Sequence, residues 1–139
     1  MATQINSVDY GSGGISIKAA GLIAATTAGA GVLIGRGTFL NRIAWTALDL
    51  GAADALYVIQ FQYNTIAAPA TWIDGPSIAL GKGSKMSGAA DSAATGEQYV
   101  GLINSYDNQV RIKTWVSGTI GTGINMTVDA YAVPVVSAF

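Results

Sequence analysis

The last third of the chain alternates, and that alternation restricts the fold more than any other feature. From Ile124 the even positions run Ile124, Met126, Val128, Ala130 and Ala132. The odd positions begin Asn125, Thr127 and Asp129, then turn apolar at Tyr131 and Val133. A period of two belongs to a β-strand with one face on a core and the other on water or a partner. Ahead of it, Val110, Ile112, Thr114 and Val116 alternate with Arg111, Lys113 and Trp115, and Tyr99 to Ile103 supplies a third strand. The turn-rich Asn104-Ser105-Tyr106-Asp107-Asn108 and the glycine-rich Gly118 to Gly123 join these strands. Glu97 to Val135 therefore reads as a three-strand antiparallel meander. Its apolar face cannot stand bare in water, so other segments or another chain must cover it.

The rest of the chain offers strands for that purpose. Leu56 to Tyr63 places Tyr57, Ile59, Phe61 and Tyr63 on one face and Gln60 and Gln62 on the other. Between Thr38 and Leu48, the residues Phe39, Ile43, Trp45 and Ala47 share a face. Ala19 to Ile34 is interrupted by Gly21, Gly29 and Gly31, which suits short β segments better than one helix. Asn64 to Pro76 reads as a loop carrying Trp72, with a brief strand at Ser77 to Leu80. Gly81 to Gly96 reads as a flexible connection holding Lys82 and Lys85, with Met86 as its only large apolar residue. Many short strands with frequent turns, and neither heptads nor a fixed repeat, predict an all-β antiparallel β-sandwich or jelly roll. Residues 15–139 form its single domain. Residues 1–14, where Gln4, Asn6, Ser7 and Asp9 lead into Gly11-Ser12-Gly13-Gly14, form a flexible N-terminal arm.

Charge points to the surface. Only 11% of the 139 residues are charged, against about 25% in an ordinary soluble domain. A surface made of hydroxyls, amides and backbone suits a subunit docked against others. The seven basic residues are scattered and the net charge is −1, so no concentrated basic face exists for nucleic acid. The chain has no cysteine and no histidine, which excludes disulfides, Cys/His zinc sites, cysteine nucleophiles and histidine-based triads. Ala19 to Ile34 is shorter than the about 20 residues a spanning helix needs, and Met1 to Gly14 is too polar for a signal peptide. The expectation is a soluble protein without membrane contact and without a cofactor.

Motifs with chemistry are weak. Gly75 to Gly83 has the flavour of a phosphate loop, but its glycine spacing is one residue too long and Gly83 stands where Ser or Thr binds magnesium. Asp49/Asp54 and Asp91/Glu97 are the available carboxylate pairs. Both lie in Gly/Ala-rich connections with no apolar pocket to separate their pKa values, so they read as turn carboxylates. Asn104 to Asn108 has too few hard ligands for calcium, and the Asn125-Met126-Thr127 sequon lies inside a strand. Trp45, Trp72 and Trp115 read as core or interface anchors, with Trp72 the candidate hot spot.

Leu48-Asp49-Leu50-Gly51-Ala52-Ala53-Asp54-Ala55-Leu56-Tyr57-Val58-Ile59 is an acid-Leu-Gly turn running into a Leu-Tyr-Val strand. It resembles the small capsid cement (decoration) proteins of tailed bacteriophages. Glu97-Gln98-Tyr99-Val100-Gly101-Leu102, Trp115-Val116-Ser117-Gly118-Thr119 and the alternating last strand are similar too. The resemblance covers Leu48 to Val133. It implies a non-enzymatic jelly-roll subunit, a homotrimer, on the exterior of the virion, bridging neighbouring copies of the major capsid protein. Such a protein is made in the host cytoplasm. The expected contacts are Gln4, Ile5, Val8 and Tyr10 of the arm, Trp72, and Lys82, Lys85 and Met86. The competing reading is a β-sandwich recognition module for carbohydrate or a receptor, which calls for an exposed aromatic cluster.

Overall fold

Each period-two segment forms a strand whose apolar positions face one core. The computed structural model describes residues 14–51, 54–86, 90–106 and 108–133. In chain order the strands are β1 (Ile15–Lys18), β2 (Leu22–Ile23), β3 (Thr27–Ala28), β4 (Val32–Leu33), β5 (Gly37–Thr46), β6 (Leu56–Asn64), β7 (Trp72–Gly81), β8 (Gly96–Asn104), β9 (Gln109–Ser117) and β10 (Ile124–Ala132). A short 3-10 turn spans Gly83–Lys85. The strands make two antiparallel sheets. In the first, β10 lies between β1 and β5, β8 follows β5, and β2 continues β1 along β10. In the second, β9 lies between β3 and β6, β7 follows β6, and β4 continues β3 along β9. Counting β1β2 and β3β4 as interrupted single strands gives eight strands in the interlocked order of a jelly roll.

This order corrects the meander. The three C-terminal strands lie where the alternation puts them, but none pairs with the next: β8 pairs β5, β9 pairs β6, and β10 pairs β1, β2 and β5. The links 105–108 and 118–123 cross between the sheets instead of turning hairpins. Periodicity fixes which face of a strand is buried, not which strand lies beside it. Placed in one sheet, the three apolar faces would need a separate cover; split between two sheets, they cover each other.

The shared core holds Phe39, Ile43 and Trp45 from β5, Tyr57, Ile59 and Phe61 from β6, Ile78 and Leu80 from β7, Leu102, Val110, Ile112, and Ile124, Met126 and Val128 from β10. Each large side chain removed from water contributes about 1.5–3 kcal/mol. Ala47 does not join them. It sits at φ 53°, where the chain leaves β5. Tyr63 packs at the margin.

Two further expectations change. Trp72 is not in a loop but opens β7, a ten-residue strand that replaces the brief one at Ser77 to Leu80. The ladder to β6 slips between Gln60 and Gln62 opposite Gly75-Pro76. Because β7 is an edge strand, a proline and a slip are tolerated there. The Gly81 to Gly96 connection is tied at several described points: Gly81 N–H donates to Ser92 Oγ at 3.0 Å, Ser92 N–H to the Gly81 carbonyl at 3.0 Å, and Trp45 Nε1–H to the Ala93 carbonyl at 3.0 Å.

The register defines two poles. One gathers the start of β5, the end of β6, the start of β7, the end of β8 and the start of β9. The other carries the Asp49 turn, the 118–123 link and the 3-10 turn.

Candidate functional site

The acidic side chains hold turns together. Asp49 accepts from Thr122 N–H at 2.8 Å and Gly51 N–H at 3.1 Å. These bonds, Thr122 first, hold its carboxyl below the usual carboxylate value. Asp54 accepts from Thr119 N–H at 3.0 Å, so Asp49 and Asp54 both hold the 118–123 link. Gly118 in that link has φ +76°, and a Cβ there would run into the Asp54 carbonyl. Asp91 accepts from Gly83 N–H at 2.7 Å and pairs with Lys82 at 3.4 Å. The Gly83 bond leads in lowering its pKa. Glu97 pairs with Arg42 across β8 and β5. Among the described residues no three His, Cys, Asp or Glu side chains converge as metal ligands, and no helix is long and apolar enough to cross a membrane.

The expected contact residues do not converge either. Gln4, Ile5, Val8 and Tyr10 lie outside the described residues. Trp72 is half-buried, its ring stacked under the Arg111 guanidinium at 4.1 Å. Lys82, Lys85 and Met86 follow the far end of the same strand, nine steps away, a separation of about 30 Å. Trp72 and the lysine loop therefore occupy opposite poles. Trp45 is buried in the core. Trp115 is on the outer face of the second sheet with Trp72, but lies opposite Val58 whereas Trp72 lies opposite Asn64. That separation of about 20 Å is too wide for one stacking platform.

The structure instead brings together a surface that residue-by-residue reading passed over. On the first sheet, odd positions of β8 and β10 and even positions of β5 point away from the core. Near the first pole this outer face carries Leu40, Tyr99, Ile103 and Val133, all exposed, with Ile103 71% accessible. Tyr131 is beside Leu40 in register. Tyr99 stands in one row with Arg42 and Asp129, and Glu97 continues the charged part of the face beyond it. Ile103 also forms one wall of a cleft of about 580 Å³ at the pole, whose other apolar walls are Tyr63, Ile66, Ile73 and Tyr106. The sequence held one signal of this: the outward positions of the last strand turn apolar at Tyr131 and Val133.

The cleft has an amide floor. Asn64 Oδ1 accepts from Gln109 N–H at 2.7 Å, and its Nδ2 donates to the Pro69 carbonyl and Gln109 Oε1, each at 3.3 Å. Asn104 Nδ2 donates to the Gly35 carbonyl at 2.7 Å and the Tyr106 carbonyl at 3.2 Å. Asn108 Nδ2 donates to the Asn64 carbonyl at 3.2 Å, while its Oδ1, buried, has no partner. These bonds tie Asn64 to Pro69 and Gln109, and Asn104 to Gly35 and Tyr106, around the cleft.

No family model, curated protein or solved structure matches the chain. Its function has to be read from its own surface. An exposed apolar patch on a sheet face beside a cleft, on a chain this poor in charge, is the surface feature that a functional reading has to explain.

Proposed function

We propose that this protein is a non-enzymatic structural subunit that docks onto a shell of other subunits, as the capsid cement proteins of tailed bacteriophages do on the outside of the head, and that it acts as a homotrimer. The observation that carries the reading is the set of exposed apolar side chains on one sheet face, Leu40, Tyr99, Ile103 and Val133, with the cleft that adjoins Ile103. The jelly-roll order, the low charge and the use of Asp49, Asp54, Asp91 and Glu97 as structural clamps support it. A cement subunit works by binding the assembled lattice better than loose subunits, which stabilises the shell by mass action. Repetition over a symmetric lattice turns weak single contacts into strong attachment. The test is sedimentation velocity followed by incubation with expanded, empty phage heads. The expected result is a species near three times 14.1 kDa that binds heads, with Leu40→Glu losing head occupancy while keeping its strand spectrum. A monomer that binds no head at any concentration overturns the proposal.

One arrangement favours a second reading. The outer face of the other sheet presents Trp115, Lys113, Arg111 and Trp72, with Trp115 Nε1–H donating to Gln60 Oε1 at 3.0 Å and Arg111 Nε–H to Gln62 Oε1 at 2.8 Å. Aromatic rings beside amides and cations are groups that bind sugars. Glycan-array binding lost in Trp115→Ala identifies a recognition module.

A further inference from the structure

The outer face of the second sheet carries two cations that are held in place and left without a counter-charge. Arg111 and Lys113 are successive outward residues of β9, with Cα atoms about 7 Å apart. Elsewhere Arg42 and Lys82 have carboxylate partners, Glu97 and Asp91. Arg111 and Lys113 have indoles instead. The Arg111 guanidinium lies 4.1 Å from the centre of the Trp72 ring, and Lys113 Nζ lies 3.8 Å from that of Trp115. A ring quadrupole orients a cation but does not neutralise it.

The amides between the two indoles fix this arrangement. Gln62 Oε1 accepts from Arg111 Nε–H at 2.8 Å, and Gln62 Nε2 donates to Asp74 Oδ1 at 2.8 Å. Gln60 Oε1 accepts from Trp115 Nε1–H at 3.0 Å. Asp74, on the same face, is therefore bonded to an amide rather than to either cation. Among the described residues nothing accepts a hydrogen bond from the Arg111 Nη atoms or from Lys113 Nζ. These donors are what the face offers to a ligand.

Their chemistry selects anionic oxygens. A guanidinium fork takes a carboxylate through two bonds, and an ammonium takes another as a point charge. The surroundings suit a sugar. Ser77, exposed, stands in the same row as Gln60 and Lys113 and offers a hydroxyl. Trp115 is 39% exposed and presents indole surface to an apolar ring face. Nucleic acid needs a broader basic field than two side chains supply.

We propose that this face binds an acidic polysaccharide built of uronic-acid units, with one carboxylate on Arg111, a second on Lys113 and a sugar ring against Trp115. The proposal rests on the recognition reading of this face and names its ligand class. It leaves Leu40 and Tyr99 free to dock, since the outer faces of the two sheets point away from each other.

Calorimetric titration of the full chain with oligogalacturonate, and with neutral maltohexaose, tests it. The expected result is binding of oligogalacturonate that weakens as salt is added, and no binding of maltohexaose. Lys113→Gln and Arg111→Gln should each weaken binding about three- to fivefold. Lys113→Arg should retain it, and Leu40→Glu, which tests the docking face, should bind as the parent does. The unfolding midpoint of Lys113→Gln, an outward side chain, should stay at the parent value, so that its loss of binding reports the site and not the fold. Maltohexaose binding as tight as oligogalacturonate overturns the proposal but keeps the recognition reading, whereas binding of neither sugar overturns both. Tighter binding of polyglutamate or of a dT oligonucleotide also overturns it, because charge alone then selects the ligand.

Discussion

At the scale of single residues, the stability of this sandwich rests on polar groups in unusual places. Asn41 faces the core from β5, fully buried; its Nδ2 donates to the Val100 carbonyl at 3.0 Å, but its Oδ1 has no partner. An orphan buried acceptor costs about 1–3 kcal/mol, more than one neutral hydrogen bond returns. Asn41→Leu, similar in volume, should therefore raise the urea unfolding free energy by about 1 kcal/mol. Asp49 is the opposite case, a carboxylate with its acceptors well used. Its folded pKa is depressed, first by the Thr122 bonds and then by the Gly51 bond. The stabilisation is therefore complete above the unfolded carboxylate value and is lost as pH falls through the folded value. Asp91 acts in the same direction. Unfolding midpoints should hold steady from neutral pH down to the ordinary carboxylate range and fall below it. Asp49→Asn should lower the midpoint at neutral pH and shallow the acid decline. A variant as stable as the parent at pH 7 would show that the clamp is dispensable.

At the scale of elements, the strands were legible and their neighbours were not. Tyr57, Ile59 and Phe61 announced β6, and Ile124 to Ala132 announced β10, because a half-buried strand must alternate. The pairing of β10 with β5 and β1 left no comparable mark, since a strand's own sequence says little about which chain segment donates its hydrogen bonds. The start of β7 was hidden for another reason: Gly75-Pro76 has the chemistry of a turn, and only the edge position and the ladder slip allow it inside a strand. Trp72 was legible as an important side chain but not as a packed one. Its ring rests under Arg111, and a Cβ at Gly31 would stand 2.9 Å from it. Trp72→Ala should cost about 1–3 kcal/mol in urea denaturation. Gly31→Val should destabilise by a similar mechanism, through displacement of the same ring. The exposed apolar face was the least legible feature, because Leu40, Tyr99 and Ile103 come from β5 and β8, Val133 follows β10, and they come together only through register.

For the whole molecule, the two sheet faces are unlike in chemistry, so the docking proposed above should be one-sided. Glu at Leu40 or Tyr99 should lower head occupancy at least about tenfold, whereas Glu at Gln60, on the other face, should leave it unchanged; equal loss from both faces would argue against a defined contact. The strand order has a further consequence, for the manner in which the protein is made. β10 sits between β1 and β5, so the first and last described strands are hydrogen-bonded neighbours. On the ribosome, β1 must wait for more than a hundred residues before its partner is synthesised. Until Ile124 to Ala132 clears the exit tunnel, the first sheet lacks the strand that joins its two halves. A chain released early cannot close its sandwich, and folding becomes a check that translation reached at least the last strand.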